Sequence, residues 1–199
     1  MERDTELALV ERLRRGDAGA FDEVYGAFNV PLFTFLARLS RRRDVAEDLL
    51  EETWLRLVKH AGRLRPDTRL GPWLFTVARN LHTSYRRSRV LEDSATAGLM
   101  GLWPNSLDRS TPFETTAASE LERRIERALA ALPVASREVL LLVGVAGFDP
   151  SDAADVCGIT PEALRQRLHR ARTALTHALE RDAAANAPAP GGMTTCPTR

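Results

Sequence analysis

Lysine is almost absent from this 199-residue chain: Lys59 stands alone beside 27 arginines. Cysteine is nearly as scarce, with only Cys157 and Cys196, and aromatic residues make up 6% of the chain. Two cysteines without a CxxC spacing give neither a disulfide framework nor a zinc finger. No stretch approaches the roughly 18 apolar residues of a membrane span; the longest apolar run lies near Val139–Ala146. The start, MERDTELALVERLRR, is charged from its second residue and so is not a secretory signal. Strand signals are missing too, because β-branched residues are scattered and no segment alternates cleanly. The four histidines, His60, His82, His169 and His177, have no partner at metal-ligand or triad spacing. These gaps set aside a secreted mini-protein, a membrane-inserted protein, a β-rich fold and a metal- or triad-based enzyme. A cytoplasmic all-α protein with no cofactor and no metal is expected, long enough for one large domain or two small ones.

The bulk charge is close to balanced, 28 basic against 27 acidic residues, but it is unevenly placed. Arg69, Arg79, Arg86, Arg87 and Arg89 fall between Thr68 and Leu91 with no acid among them. Arg165, Arg167, Arg170 and Arg172 form a second acid-free cluster. Asp44, Glu47, Asp48, Glu51 and Glu52 crowd into nine residues. Such alternation fits a chain that meets both an anion and a basic partner; solvated helix faces are the plainer alternative.

Helical periodicity dominates. Phe21, Val24, Tyr25 and Phe28 recur at helical spacing, followed by Leu32, Phe33, Leu36 and Leu39, with Pro31 marking a kink or a fresh start. Val45, Leu49, Leu50, Trp54, Leu57 and Val58 predict a second amphipathic helix, and Leu74, Val77, Ala78, Leu81 and Tyr85 a third, entered through Gly71-Pro72. These three can bury one small core. From about Ser88 to Ser119 the periodicity stops and Ser, Thr, Pro, Gly and Asp take over, the signature of a linker. Its one apolar cluster is Leu99 to Trp103. Helical pattern resumes at Glu120, with Leu121, Ile125, Ala128, Leu129 and Leu132 on one face and Pro133 as a stop. Ser136 is the expected cap of the next helix, which Gly147 ends. A short helix from about Pro150 to Val156 and the turn Cys157-Gly158-Ile159 follow. Thr160-Pro161-Glu162 then opens a long helix to about Arg181, with a cap, a proline at the first position and an acid in the first turn.

A short helix, a glycine turn and a longer capped helix make a helix-turn-helix. On the last helix, Leu164, Leu168, Ala171 and Leu175 share one stripe. The opposite stripe carries Glu162, Gln166, His169 and Arg170, flanked by Arg165 and Arg167. Gln and Arg can make paired hydrogen bonds to base edges in a major groove, and the flanking arginines can reach phosphates. On the helix from Trp73 to Arg87, the core stripe leaves Trp73, Thr76, Asn80, Thr83 and Arg87 outward, with Arg79 and Arg86 on the neighbouring face. A stacking aromatic, an amide and arginines together suit an unpaired strand better than a closed duplex. Asp44, Asp48, Glu51 and Glu52 line the outside of their helix with no histidine or cysteine nearby, a docking face and not an acid–base pair.

Taken in order, these segments resemble the extracytoplasmic-function (ECF) sigma factors of the sigma-70 family, the subunits that direct bacterial RNA polymerase to promoters. DVAEDLLEETWLRL (44–57) resembles the family's polymerase-clamp helix, GPWLFTVARNLHTSYRRSR (71–89) its −10 melting segment, and ALPVASREVLLLVGVAGFDPSDAADVCGITPEALRQRLHRAR (131–172) its −35 reading domain. The resemblance implies two small helical domains, 1–90 and 120–182, a flexible linker at 91–119 and a disordered tail at 183–199. It implies core RNA polymerase as partner, through the β′ coiled coil and the β flap, together with promoter DNA and an anti-sigma factor. Asp44, Asp48, Glu51 and Glu52 would then hold polymerase. Trp73, Thr76, Arg79, Asn80, Thr83, Arg86 and Arg87 would face the opened −10 strand. Glu162, Arg165, Gln166, Arg167, His169 and Arg170 would read or grip the −35 duplex. Glu92, Asp93, Asp108 and Glu114 make the connector mildly acidic, so it could mimic RNA in the exit path. Glu51 replaces the family's usual glutamine, and Phe148-Asp149-Pro150 and Cys157 are unusual around the first reading helix. A stand-alone helix-turn-helix regulator would leave the acidic helix and the strand-facing helix unused. A sigma mimic that sequesters an anti-sigma factor usually carries a receiver domain, and no such α/β pattern is present.

Overall fold

Local side-chain caps open three of the described helices. Asp17, in extended conformation, accepts from the backbone N–H of Gly19 at 2.8 Å and of Ala20 at 3.4 Å, which starts the second helix. The computed structural model describes residues 3–97 and 120–185. In chain order these form α1 (Arg3–Arg14), α2 (Ala18–Ser40), α3 (Arg43–His60), a 3-10 turn at Ala61–Arg63, α4 (Leu70–Ala97), α5 (Glu120–Ala130), α6 (Val134–Gly144), α7 (Pro150–Cys157) and α8 (Pro161–Ala185). Among the described residues there is no strand. None of the described helices is long and apolar enough to cross a membrane.

In the first half, Leu9, Val10 and Leu13 of α1 meet Val24, Leu32, Phe35 and Leu36 of α2, Val45, Leu49 and Leu57 of α3, and Leu70, Leu74, Phe75 and Ala78 of α4. Pro31 does not start a fresh helix: α2 runs from Ala18 to Ser40 with the proline inside it. Proline removes the N–H that would reach the Ala27 carbonyl, but Ala27 is exposed, so water can satisfy that group while Leu32, Phe35 and Leu36 anchor the next turn. The start of α4 is capped from a distance. Glu6 of α1 accepts from the Leu70 N–H at 2.7 Å and also holds Arg3 at 2.8 Å.

In the second half, α6 begins directly after Pro133 (φ −55°), so Ser136 sits inside the first turn and caps nothing. Its N–H is already bonded to the Pro133 carbonyl at 2.9 Å. Helix α6 stops at Gly144, before Gly147, which adopts φ +73° in the turn that follows. Asp149 caps α7 by accepting from Ser151 and Asp152, Pro150 takes the first helical position, and Gly158 ends the helix in left-handed conformation at φ +65°. Thr160 Oγ1 then accepts from the Ala163 N–H at 3.2 Å and opens α8, which continues to Ala185.

The two halves do not bury separate cores. One contiguous apolar cluster runs from Leu9 to Ala171, joined where α7 lies on α4 and α6 on α2. Helix α4 also continues through Leu91 to Ala97, into the stretch whose composition reads as linker. The apolar cluster 99–103, Asp108, Glu114 and Cys196 lie outside the described residues.

Candidate nucleic-acid and protein interfaces

Helix α8 packs Leu164, Leu168 and Ala171 inward and leaves Glu162, Arg165, Gln166, His169 and Arg170 exposed, with Arg167 half-buried. Glu162 is the organiser of this face. It accepts from Arg165 at 3.1 Å and from Gln166 Nε2 at 3.4 Å, and these bonds, that from Arg165 foremost, hold its carboxyl below the usual range. The result is a solvent-facing strip of one amide and several guanidinium groups on a capped helix, dimensioned for a major groove.

Helix α4 is more mixed than its wheel predicts. Asn80, Arg86 and Arg87 are exposed, whereas Trp73, Thr76, Arg79 and Thr83 are half-buried. Trp73 lies against the core cluster with part of its surface open. The hydroxyls of Thr76 and Thr83 donate to the carbonyls of Pro72 (2.7 Å) and Arg79 (2.9 Å), one turn back, so they are committed to their own helix. Arg79 Nε donates to Glu138 at 2.6 Å. His82, whose ring sequence reading leaves without a role, is 3% exposed. Burial first, then the charges of Arg86, Arg137 and Arg79, push its pKa down to about 4, so it is neutral at physiological pH.

On α3, Asp44, Asp48, Glu51, Leu55 and Val58 follow one another at spacings of four, three, four and three and so form a single outward stripe. Arg42 holds Asp44 and lowers its pKa, and Arg56 holds Glu52 at 2.9 Å; no ion partner for Asp48 or Glu51 is found among the described residues. Sequence reasoning marked the acids, passed over Leu55 and set Val58 on the apolar face; both lie on the outward stripe that continues from the acids. Leu55 is 57% exposed and Val58 61%. Beside them an aromatic trio closes a groove: Tyr25 lies 5.0 Å from Trp54, and Phe21 5.9 Å from Trp54. Trp54 is fixed by its bond to Asn29 Oδ1 at 3.1 Å. An apolar centre rimmed by carboxylates is the layout of a protein-docking site. The signal was present in the sequence: the same periodicity that aligns the acids aligns Leu55 and Val58 with them.

No cluster of three or more His, Cys, Asp or Glu able to hold a metal occurs among the described residues. Cys157 is buried and its thiol is pushed up to about 12, chiefly by desolvation, so it is a small core residue and not a thiolate.

Two family models match the chain: Sigma-70 region 2 over residues 24–92 and Sigma-70, region 4, over residues 122–175. Among curated relatives, the chain is 39% identical over 155 residues to the ECF RNA polymerase sigma factor EcfG of Rhodopseudomonas palustris, covering 77% of this chain and 81% of that protein. It is 33% identical over 164 residues to the RNA polymerase sigma factor CarQ of Myxococcus xanthus, covering 81% and 90%. Among solved structures it resembles the sigma factor RpoE of Bartonella quintana in complex with the anti-sigma factor NepR, with TM-score 0.68, 28% identity, and coverage of 81% of this chain and 98% of that one.

Proposed function

The chain belongs to the sigma-70 family as an ECF sigma factor, and from that premise we propose which surfaces carry out its work. It binds core RNA polymerase and directs initiation at promoters through their −35 and −10 elements. Residues 1–90 are the polymerase-docking and −10 module, with α4 prolonged to Ala97; 120–182 are the −35 module; 91–119 connect them, and 183–199 form the tail. The α3 stripe of Asp48, Glu51, Leu55 and Val58 docks on polymerase. Asn80, Arg86 and Arg87, with Trp73 and Arg79 at their edge, face the opened strand. Gln166, Arg165 and Arg170 enter the −35 major groove. Its action is binding and not bond-making, in the cytoplasm where polymerase and promoter meet. Unstacking the −10 bases costs a few kcal/mol, which stacking and hydrogen bonds on α4 must offset. By likeness to the NepR-bound relative, an anti-sigma factor holds this chain when it is idle.

The observation that carries this reading is the order of three surfaces on one chain: an acidic and apolar stripe, an arginine-lined helix, and a helix-turn-helix with its polar strip exposed. A stand-alone regulator has no use for the first two. Reconstitution with core polymerase, followed by mapping of transcript starts across the genome, should give starts that share two upstream elements. Reversing charge at Asp48 and Glu51 should abolish co-migration with polymerase. Normal co-migration of that variant, or starts with no shared elements, would sink the assignment.

A further inference from the structure

Resting on the −35 assignment of α8, we propose that Glu162 and Arg165 act as one reader of a single C·G base pair in that element, the carboxylate over the cytosine amino group and the guanidinium over the guanine. Glu162 is the odd residue on its helix. Between Asp155 and Glu180 it is the only acid, and Arg165, Arg167, Arg170 and Arg172 follow it. A face that only gripped phosphates would exclude a carboxylate, because every phosphate repels it. Yet this side chain is 69% exposed, in the first turn of α8, on the strip that Gln166, His169 and Arg170 continue.

Its two bonds use different oxygens. Arg165 Nη2 donates to Oε2 at 3.1 Å, and Gln166 Nε2 donates to Oε1 at 3.4 Å. An ionised carboxylate has about four lone-pair sites, so these bonds leave room for a base. The guanidinium uses one N–H on Glu162 and keeps others for a further acceptor. Acceptor and donor therefore stand side by side at the end of the helix that enters the groove. Gln166 is a positioning residue here: its amide limits how far the carboxylate swings from the strip. In water the ion pair contributes little, since Arg165 is 62% exposed as well. Its use is to fix geometry before the groove strips water away and strengthens both charges.

The base edges decide what such a pair accepts. In the major groove cytosine offers an amino donor alone, and guanine offers the acceptors O6 and N7. Adenine places an acceptor beside its amino group, and thymine offers only an acceptor and a methyl. Over adenine the carboxylate would meet N7; over thymine or guanine it would meet oxygen and no donor. A dehydrated carboxylate facing an acceptor costs more than the bond it loses, so selection works by rejection as well as attraction. Only C·G, in one orientation, satisfies both members of the pair.

The test uses the full chain reconstituted with core polymerase. A promoter found by start mapping is altered so that every −35 position carries each of the four base pairs in turn, and transcripts are counted by sequencing. One position should favour C·G about tenfold over the other pairs. E162A should bring all pairs at that position within about twofold and leave the remaining positions as they were. E162Q replaces an acceptor by an amide that donates and accepts, so it should move the preference there toward A·T, a shift that a merely structural role would not produce. E180Q removes the same charge from the same helix, about 27 Å away, and should change no position. With the element still selective elsewhere, absence of any C·G position, a C·G preference that survives E162A, a loss spread over the whole element, or an equal loss from E180Q would overturn the reader. Initiation that depends on no upstream position, or no initiation at all, would instead remove the sigma reading on which it rests.

Discussion

His82 shows what one side chain does when a helix face is buried by a neighbouring module. The unfolded chain takes up its proton near pH 6.5, whereas the folded chain resists until about pH 4. Between those values the unfolded state binds more protons, so stability is complete above pH 6.5 and is lost as pH falls toward 4. The expected loss is on the order of 3 kcal/mol by pH 4. Urea titrations at a series of pH values should show that decline, and His82→Leu should flatten it between pH 6.5 and 4 whatever its effect on absolute stability. An unchanged slope in the variant would mean other groups carry the acid sensitivity. The residue scale also marks where sequence reading stops. The helix start at Pro150, the turn at Gly158 and the cap Thr160 were legible because each acts on neighbours within three or four residues, whereas the cap Asp149 was not read. The pairing of Arg79 with Glu138 spans 59 positions and leaves no trace in spacing or composition.

At the scale of elements, periodicity located α2, α3, α4 and the α7–α8 pair, and boundaries failed where two signals competed. Pro133 took the start of α6 from Ser136, and α4 ran past the Ser88 to Ser119 polar stretch to Ala97. The first helix, α1, went unread because its charged sequence hides the core contacts of Leu9, Val10 and Leu13. Helix α3 yields the sharpest expectation. If Leu55 and Val58 are the apolar centre of the polymerase contact, Leu55→Asp or Val58→Asp should weaken affinity for core polymerase by at least about tenfold. Both positions are exposed in the free chain, so the thermal midpoint should hardly move. Glu52→Gln should matter little beside them, because Arg56 already occupies that carboxylate. Competition against a labelled sigma factor for limiting core enzyme measures all three.

For the whole molecule, the prolonged α4 sets a ruler. Its last seven residues, 91–97, add about 10 Å of helix, so the connector to the second module starts after Ala97 and not at residue 91. Whatever path the 22 residues from 98 to 119 take, they cannot stretch beyond about 80 Å. The elements' names place them about 25 base pairs apart, on the order of 80 Å of duplex, so that ceiling leaves little slack when both are engaged. Excising ten residues from 100–109 should therefore narrow the range of element spacings that support initiation, read by transcribing a ladder of templates that differ in spacer length. Extending that helix by one turn after Ala97 should win back part of the lost range, since the connector then starts further along it.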